Sequence, residues 1–480
     1  MTVISGGSVV AFSAVRSIDV EDAYRKDSED SECESQKPLG TPMLVQVSMV
    51  TTVVRPMSAS QFEAAMEFIK NAKDSVVGLF KWGKEFYKDH EKEIKKMKAA
   101  WAALQGVGDI IGGVKKFLPE KDDPMVQALA KLEEDVKALG DKLNEHFAEM
   151  RGFISEQNFF TNIISPTSVL TKHMRDCISH PGEDSKRNFQ KAYQNMKPLT
   201  LQYQLNAYLE QKTTNPLTLS MDAEKAKTKA TFEKWEDIIS RVMAQFLLLE
   251  AFAGGLLGTK SDTAFDRMIE ASTDILKDIK HWREEYEKDE GYWNEMKDFL
   301  VPYFKNHREL SNEQKGAEIK AKLASYLTRD AFYVCVSYKL LPTMPFHTVC
   351  PNEKDQLIVS YRKGGCNCFI YRSRSAYKAT QEDYDMMRRK LRERFEGRRA
   401  YWFKLYSEIS ESQLSEPKHL PANGLVAMVS YETMPEILYV NSLKPESTNL
   451  GPGYFFQVWT ENILGINPIP IRAQVIAAFP

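Results

Sequence analysis

From Ser58 onward, apolar residues recur at spacings of three, four and seven, the period of an amphipathic helix. Phe62, Met66, Ile69, Val76, Phe80 and Tyr87 mark a first stripe, interrupted by Lys73 and Gly83. A longer stripe runs from Met125 through Leu129, Leu132, Val136, Leu139 and Leu143 to Phe147, Met150 and Ile154. Asp123 is its predicted cap, and Pro124 suits its first turn. Charged residues fill the gaps, so a bundle or coiled-coil helix is expected. Further helices are predicted over 165–177, 184–196 and 223–257, and one from about Ser261 to a stop before Pro302.

Near Asp330 the period changes. The segments 331–340, 355–363, 366–374, 424–433, 436–441, 453–460 and 472–479 are β-branched, aromatic or alternating, and read as strands. Gly364–Gly365 is a hairpin turn signal. One helix interrupts them, opened by a Thr380/Asp383 capping box, with Tyr384, Met387, Leu391, Phe395, Trp402 and Leu405 as its apolar face. Helices first and strands later predict an α+β fold, a long-helix bundle followed by a mostly β, sandwich-like domain. The expected divisions are 1–57, 58–329 and 330–480.

Composition changes this picture little. A chain of 480 residues with 43% hydrophobic and 27% charged residues is ordinary for a folded protein of two or three domains. A formal net charge of −2 excludes a whole-molecule electrostatic nucleic-acid binder. Residues 17–39 are acidic and poor in large apolar groups, and read as a disordered linker; 43–54 read as a strand. The cysteines Cys33, Cys177, Cys335, Cys350, Cys366 and Cys368 are sparse and irregular, which favours free thiols in a reducing, cytoplasmic setting. No basic residue precedes Arg16, so no signal peptide is expected.

Enzyme signatures are missing from the sequence. It contains no GxGxxG, P-loop, HExxH or GxSxG pattern, and no cofactor is expected. His347, Cys350, Cys366 and Cys368 are zinc-ligand types, but the CxC spacing is tighter than a zinc knuckle, and cysteines half-buried in a sheet explain it more simply. The redox state of Cys350, Cys366 and Cys368 stays open. Arg388, Arg389, Arg392 and Arg399 make one helix basic, either as a solvated face or as a reader of an anionic surface. No aromatic residues alternate with them on that face, which argues against nucleic acid.

Two windows stand out. "LQGVGDIIGGVKKFLP" (104–119) is glycine-rich yet apolar, and lies between two predicted helices. It reads as a tight helical hairpin, or as a membrane-inserting tip carried by Val107, Ile110 and Ile111. "AQFLLLEAFAGGLLG" (244–258) carries Phe246, Leu249, Phe252 and Leu256 on one face and Glu250 in its middle. An apolar surface that runs nearly all round a helix is a bundle centre. Its uninterrupted apolar part is too short to span a bilayer, so no standing transmembrane helix is expected.

The order of these features, with "HFAEMRGFISEQNFFTNI" and "CISHPGEDSKRNFQKAYQ" between the two windows, resembles the helical region of rapunzel-like animal proteins over about residues 60–310. It is more distantly similar to the helical domain of box-jellyfish toxins, which is likened to that of insecticidal crystal toxins. The resemblance implies no enzyme activity and, for its toxin branch, membrane permeabilisation by a helical bundle. The leading expectation is a non-enzymatic, membrane-associating protein with a β-rich recognition domain. A soluble interaction scaffold is the alternative. The expected partner is a membrane lipid or a protein rather than nucleic acid, and homo-oligomerisation stays open.

Overall fold

In the computed structural model, the described residues are 59–113, 124–148, 154–260, 262–338, 347–351, 354–363, 365–373, 381–401, 404, 407–409, 425–431, 433–441, 454–464 and 469–479. The linker expected at 17–39, the strand at 43–54, the Asp123 cap and the Thr380/Asp383 box lie outside them, as do the side chains of Phe80, Phe147, Tyr384, Trp402 and Leu405.

Twelve described helices precede the first described strand. The first stripe is carried by α1 (Ala59–Glu85), with Tyr87 beyond its end and exposed, and α2 (His90–Gly113) follows as a separate helix. They part where the Asp89 carboxylate accepts the Lys92 amide at 3.2 Å, and Glu91 and Glu93 favour the new N-terminus. The expected hairpin over 104–119 is corrected as far as Gly113, because α2 continues through it as helix. The heptad stripe is α3 (Pro124–Ala148), with Leu132, Val136, Leu139 and Leu143 all buried, but it stops there: Met150 lies outside the described residues, and Ile154 lies beyond α3 and is exposed.

A short helix α4 (Ile154–Phe159), a π-helical turn (Phe160–Ile164) and α5 (Ser165–Ser179) follow without a break. Next come α6 (Glu183–Asn195), α7 (Pro198–Glu210), α8 (Pro216–Ala223) and α9 (Lys229–Leu256). The single helix expected from Ser261 is two, α10 (Asp262–Tyr286) and α11 (Tyr292–Asn306). Asp289 accepts the Gly291 amide at 2.6 Å and turns the chain between them. Pro302 lies inside α11 instead of ending it. The helix α12 (Asn312–Ser325) opens on a capping box from Ser311 and Gln314.

The strands are β1 (Ala331–Tyr338), β2 (His347–Pro351), β3 (Leu357–Lys363), β4 (Cys366–Ser373), β5 (Arg399–Tyr401), β6 (Leu425–Ser430), β7 (Thr433–Asn441), β8 (Tyr454–Leu464) and β9 (Ile469–Phe479), with the helix α13 (Gln381–Phe395) after β4. One sheet has the order β3-β4-β1-β7, and the other β2-β6-β9-β8-β5. All pairings are antiparallel except β5 on β8. The β3–β4 hairpin pairs Lys363 with Cys366, and Gly365 has φ +79°, as a two-residue turn requires.

β1 explains how the layers stack. Its alternate residues Phe332, Val334 and Val336 join a core built with α11 and α12, including Met296, Leu300, Ile319 and Leu323. Ala331, Tyr333 and Cys335 join a second core with Leu425, Ala427, Val429 and Ile476 of the other sheet. A strand covered on both faces reads as a continuous apolar run. The fold is therefore α+β, a helical bundle and two facing sheets, with Pro56–Pro480 a single compact unit. Where the start of α9 meets the end of α12, Leu327 N donates to Lys227 O at 2.8 Å and Lys229 Nζ to Ala324 O at 2.8 Å.

Candidate functional site

The chemistry-bearing part of the bundle is its centre. α9 opens on Thr228, whose hydroxyl accepts the Thr231 amide at 3.4 Å, and runs 28 residues. It touches α1, α2, α3, α5, α6, α7, α8 and α10. Phe246, Leu249, Phe252 and Leu256 are at most 2% exposed. This encirclement accounts for the missing polar face. At 1.5 Å per residue the helix is about 42 Å long. It is the one described helix long and apolar enough to cross a membrane, and 83% of that stretch is buried in the bundle.

α2 approaches α9 backbone to backbone. A Cβ on Gly255 would fall inside contact distance of the Gln105 carbonyl and 2.9 Å from the Asp109 nitrogen. A Cβ on Gly108 would stand 2.7 Å from Leu256 N, and one on Gly112 would stand 3.0 Å from Leu256 O. The glycines of the two singled-out windows are thus each other's partners. Val107 and Ile111 are buried in this contact, and Ile110 packs half-buried against the same core. Asp109 and Lys260 pair at its rim.

Glu250 is the polar intrusion. Tyr193 on α6 donates its hydroxyl to Glu250 Oε1 at 2.8 Å, while Oε2 has no hydrogen-bond partner among the described residues. Burial pushes the Glu250 pKa above the usual carboxylate range. The Tyr193 hydroxyl, the Leu199 amide (short of bonding geometry) and the Lys197 charge oppose this without cancelling it. Tyr193 stacks on Phe189, which meets Phe252 edge-on at 5.4 Å, so α6 covers this stretch of α9 with two aromatic rings. Tyr193 did not emerge from sequence reasoning. Its signal was the i, i+4 pair Phe189/Tyr193 on a short amphipathic helix. A little earlier on α9, the Gln245 amide is 1% exposed and neither of its polar atoms has a hydrogen-bond partner among the described residues.

The basic helix is shorter than expected. Met387, Leu391 and Phe395 bury the inner face of α13 against β8 and β9, while Arg389 and Arg392 stand exposed and Arg388 is half-buried. Arg392 lies 3.8 Å from Glu396. Arg399 is not on this helix. Gly397, at φ +66°, turns the chain, and Arg399 begins β5 opposite Glu461.

The zinc-type residues are divided between the sheets. Cys366 and Cys368 share the face of β4 that α11 and α12 cover, whereas His347 and Cys350 belong to β2 of the other sheet, their side chains outside the described residues. Among the described residues, no group of three or more His, Cys, Asp or Glu could hold a metal ion. Burial raises the thiol pKa of Cys366 to about 11 and that of Cys177 to about 12, and these free thiols are poor nucleophiles.

One further buried charge is absent from the sequence reading. Arg372 on β4 is 1% exposed, lies 3.6 Å over the Trp293 ring, and donates to Glu290 at 2.9 Å and Asp330 at 3.3 Å. It fastens the α10–α11 turn to the start of β1.

Residues 127–464 match the family model described as "Protein of unknown function (DUF684)". The chain belongs to the DUF684 family. Neither curated proteins nor solved structures give a match. The DUF684 match begins within α3 and ends with β8, so it takes in α9, the Tyr193–Glu250 contact and α13. α1 and α2 precede it.

Proposed function

We propose that this DUF684 protein is a non-enzymatic, membrane-associating protein in which the bundle stores α9 as a membrane-competent helix and the sheets recognise a partner. The observation that carries this reading is α9 itself, long enough to cross a bilayer and holding one carboxylate, Glu250, in its apolar half. A carboxylate at the bilayer centre costs about 2.5–3.5 kcal/mol on insertion scales, and burial already biases Glu250 toward its neutral form. The likeness to rapunzel-like proteins and jellyfish toxins belongs to the same reading. In it, α9 leaves the bundle by parting from α6 and from the glycine face of α2, and several copies assemble in the bilayer. The exposed arginines of α13 meet the anionic surface. The free, buried thiols fit a cytoplasmic setting.

A soluble scaffold is the second reading, and the burial of α9 favours it, because a bundle centre is apolar all round without any membrane. Flotation of the purified protein with anionic vesicles, at neutral and acid pH, separates the two. The first reading expects protein in the floated fraction and release of a trapped dye. Protein that stays at the bottom, with no release in any lipid, leaves the scaffold.

A further inference from the structure

A groove of about 530 Å³ opens between α5 and α6, on the side of α6 away from Glu250. One stripe of each helix walls it. α6 contributes Asn188, Lys191, Ala192 and Asn195 at helical spacing, and α5 contributes Ser165, Val169, Leu170 and His173. The π-helical turn feeds Thr161 into one end, and Val169 is 46% exposed there, a large apolar side chain facing solvent.

The charge of this groove sets it apart. The groove between α1 and α2 is lined by the carboxylates Asp74, Glu85 and Glu93, and the one at α7, α8 and α10 by Glu210, Asp222, Asp278 and Glu285. The α5–α6 groove has no carboxylate among its described lining residues. Among the described residues, no hydrogen bond or ion pair engages the side chains of Lys191, His173, Asn188 or Asn195. Lys191, Asn188 and Asn195 stand exposed along its rim and His173 is half-buried, so an ammonium, an imidazole and two amides border one partly apolar space. A ligand that fits must be anionic at one end, to accept from these donors, and apolar at the other, to cover Val169 and Leu170.

We propose that the α5–α6 groove binds an amphiphile with an anionic head, phosphate or carboxylate, anchored by Lys191 and His173. The head is either that of a membrane lipid or that of a soluble monoester. The proposal deepens the membrane reading above, because the same helix carries both sites. Asn188 and Lys191 face the groove, while Phe189 and Tyr193 face Phe252 and Glu250 of α9. Occupancy on one side of α6 bears directly on the contacts that cover α9.

The test uses the full chain and monomeric dodecyl phosphate, with inorganic phosphate and phosphatidic acid vesicles as further arms, read by calorimetry. Dodecyl phosphate should bind saturably, one per chain. Lys191→Glu should weaken it at least tenfold, the scale of one lost charge-assisted contact. Lys212→Glu, the same charge change in a carboxylate-lined groove, should leave it unchanged. Phosphate binding as tightly as the amphiphile would overturn the apolar half of the proposal. Equal weakening by both variants, or no saturable binding, would overturn it entirely. Vesicle binding stronger than monomer binding and lost in Lys191→Glu assigns the head to lipid; monomer binding alone assigns it to a soluble ester. Saturable binding without vesicle leakage upholds the groove and removes the role of α9. Leakage without saturable binding does the reverse.

Discussion

Gly254 and Gly255 stand side by side on α9 and meet different neighbours. A Cβ on Gly254 would lie 3.2 Å from the Gln105 side-chain nitrogen, which can swing aside, whereas one on Gly255 strikes the α2 backbone. Gly254→Ala should therefore be neutral or gain up to about 1 kcal/mol from helix propensity. Gly255→Ala should lose several times that, on the order of 2–4 kcal/mol, because two packed helices must separate. Equal urea midpoints for the two variants would mean that the α2–α9 contact is looser than described. Glu250 offers a test by pH. Its folded pKa is raised by burial, so between the ordinary value of 4.5 and that raised value the folded chain holds more protons than the unfolded one. Stability contributed at this position is then greatest below 4.5 and declines as pH rises through the window. Glu250→Gln keeps an acceptor for Tyr193 and does not titrate. Its melting temperature should gain on the wild type as pH rises from 4 to 7. A difference that is flat with pH would show that the carboxylate is solvated.

At the scale of elements, the sequence was clear where one stripe decides the structure and unclear where local turn chemistry does. α3, α5, α6 and most strands follow from period alone. The α1–α2 and α10–α11 breaks escaped it because the apolar period continues across both; Asp89 and the Asp289–Gly291 turn were the signals to weigh against it. α7, α8 and α12 scatter their apolar residues round the helix and so declare no stripe, and β2 and β5 span only five and three residues. Of the candidate site, the buried α9 face and its glycines were legible, but not their partner helix. Glycines lower helix propensity, so the second half of α2 was taken for a connector, when small residues there serve close approach. Tyr193 was signalled only as one of an aromatic i, i+4 pair, and its partner Glu250, like the partners of Arg372, lies on an element distant in sequence. Arg372 gives an element-scale prediction. Arg372→Met leaves Asp330 with the Tyr292 hydroxyl but without its cation and the α10–α11 turn unfastened, and should cost about 1–3 kcal/mol, the scale for losing a charge-assisted contact. A loss below about 1 kcal/mol in urea unfolding would place the pair in solvent.

For the whole molecule, the core divides before the period does. Met296, Leu300, Ile319 and Leu323 of α11 and α12 cover the sheet face that carries Phe332, Val334, Cys368 and Ile370. A fragment starting at Tyr292 should therefore fold cooperatively by circular dichroism, and one starting at Asp330 should aggregate with that face bare. If the shorter fragment folds equally well, the two helices are dispensable to the sheets. The central claim is that α9 leaves this architecture for a bilayer. The direct measurement is quenching, by brominated lipid, of a dye on Ala253→Cys in a chain without other reactive thiols. Ala253 is fully buried between Phe252 and the glycine pair, so lipid reaches it only if α9 is released. With anionic vesicles at acid pH the account predicts strong quenching that deepens toward the bilayer centre, together with leakage. Fluorescence unchanged by brominated lipid at every pH and lipid composition would contradict it and keep α9 as the fixed centre of a soluble bundle.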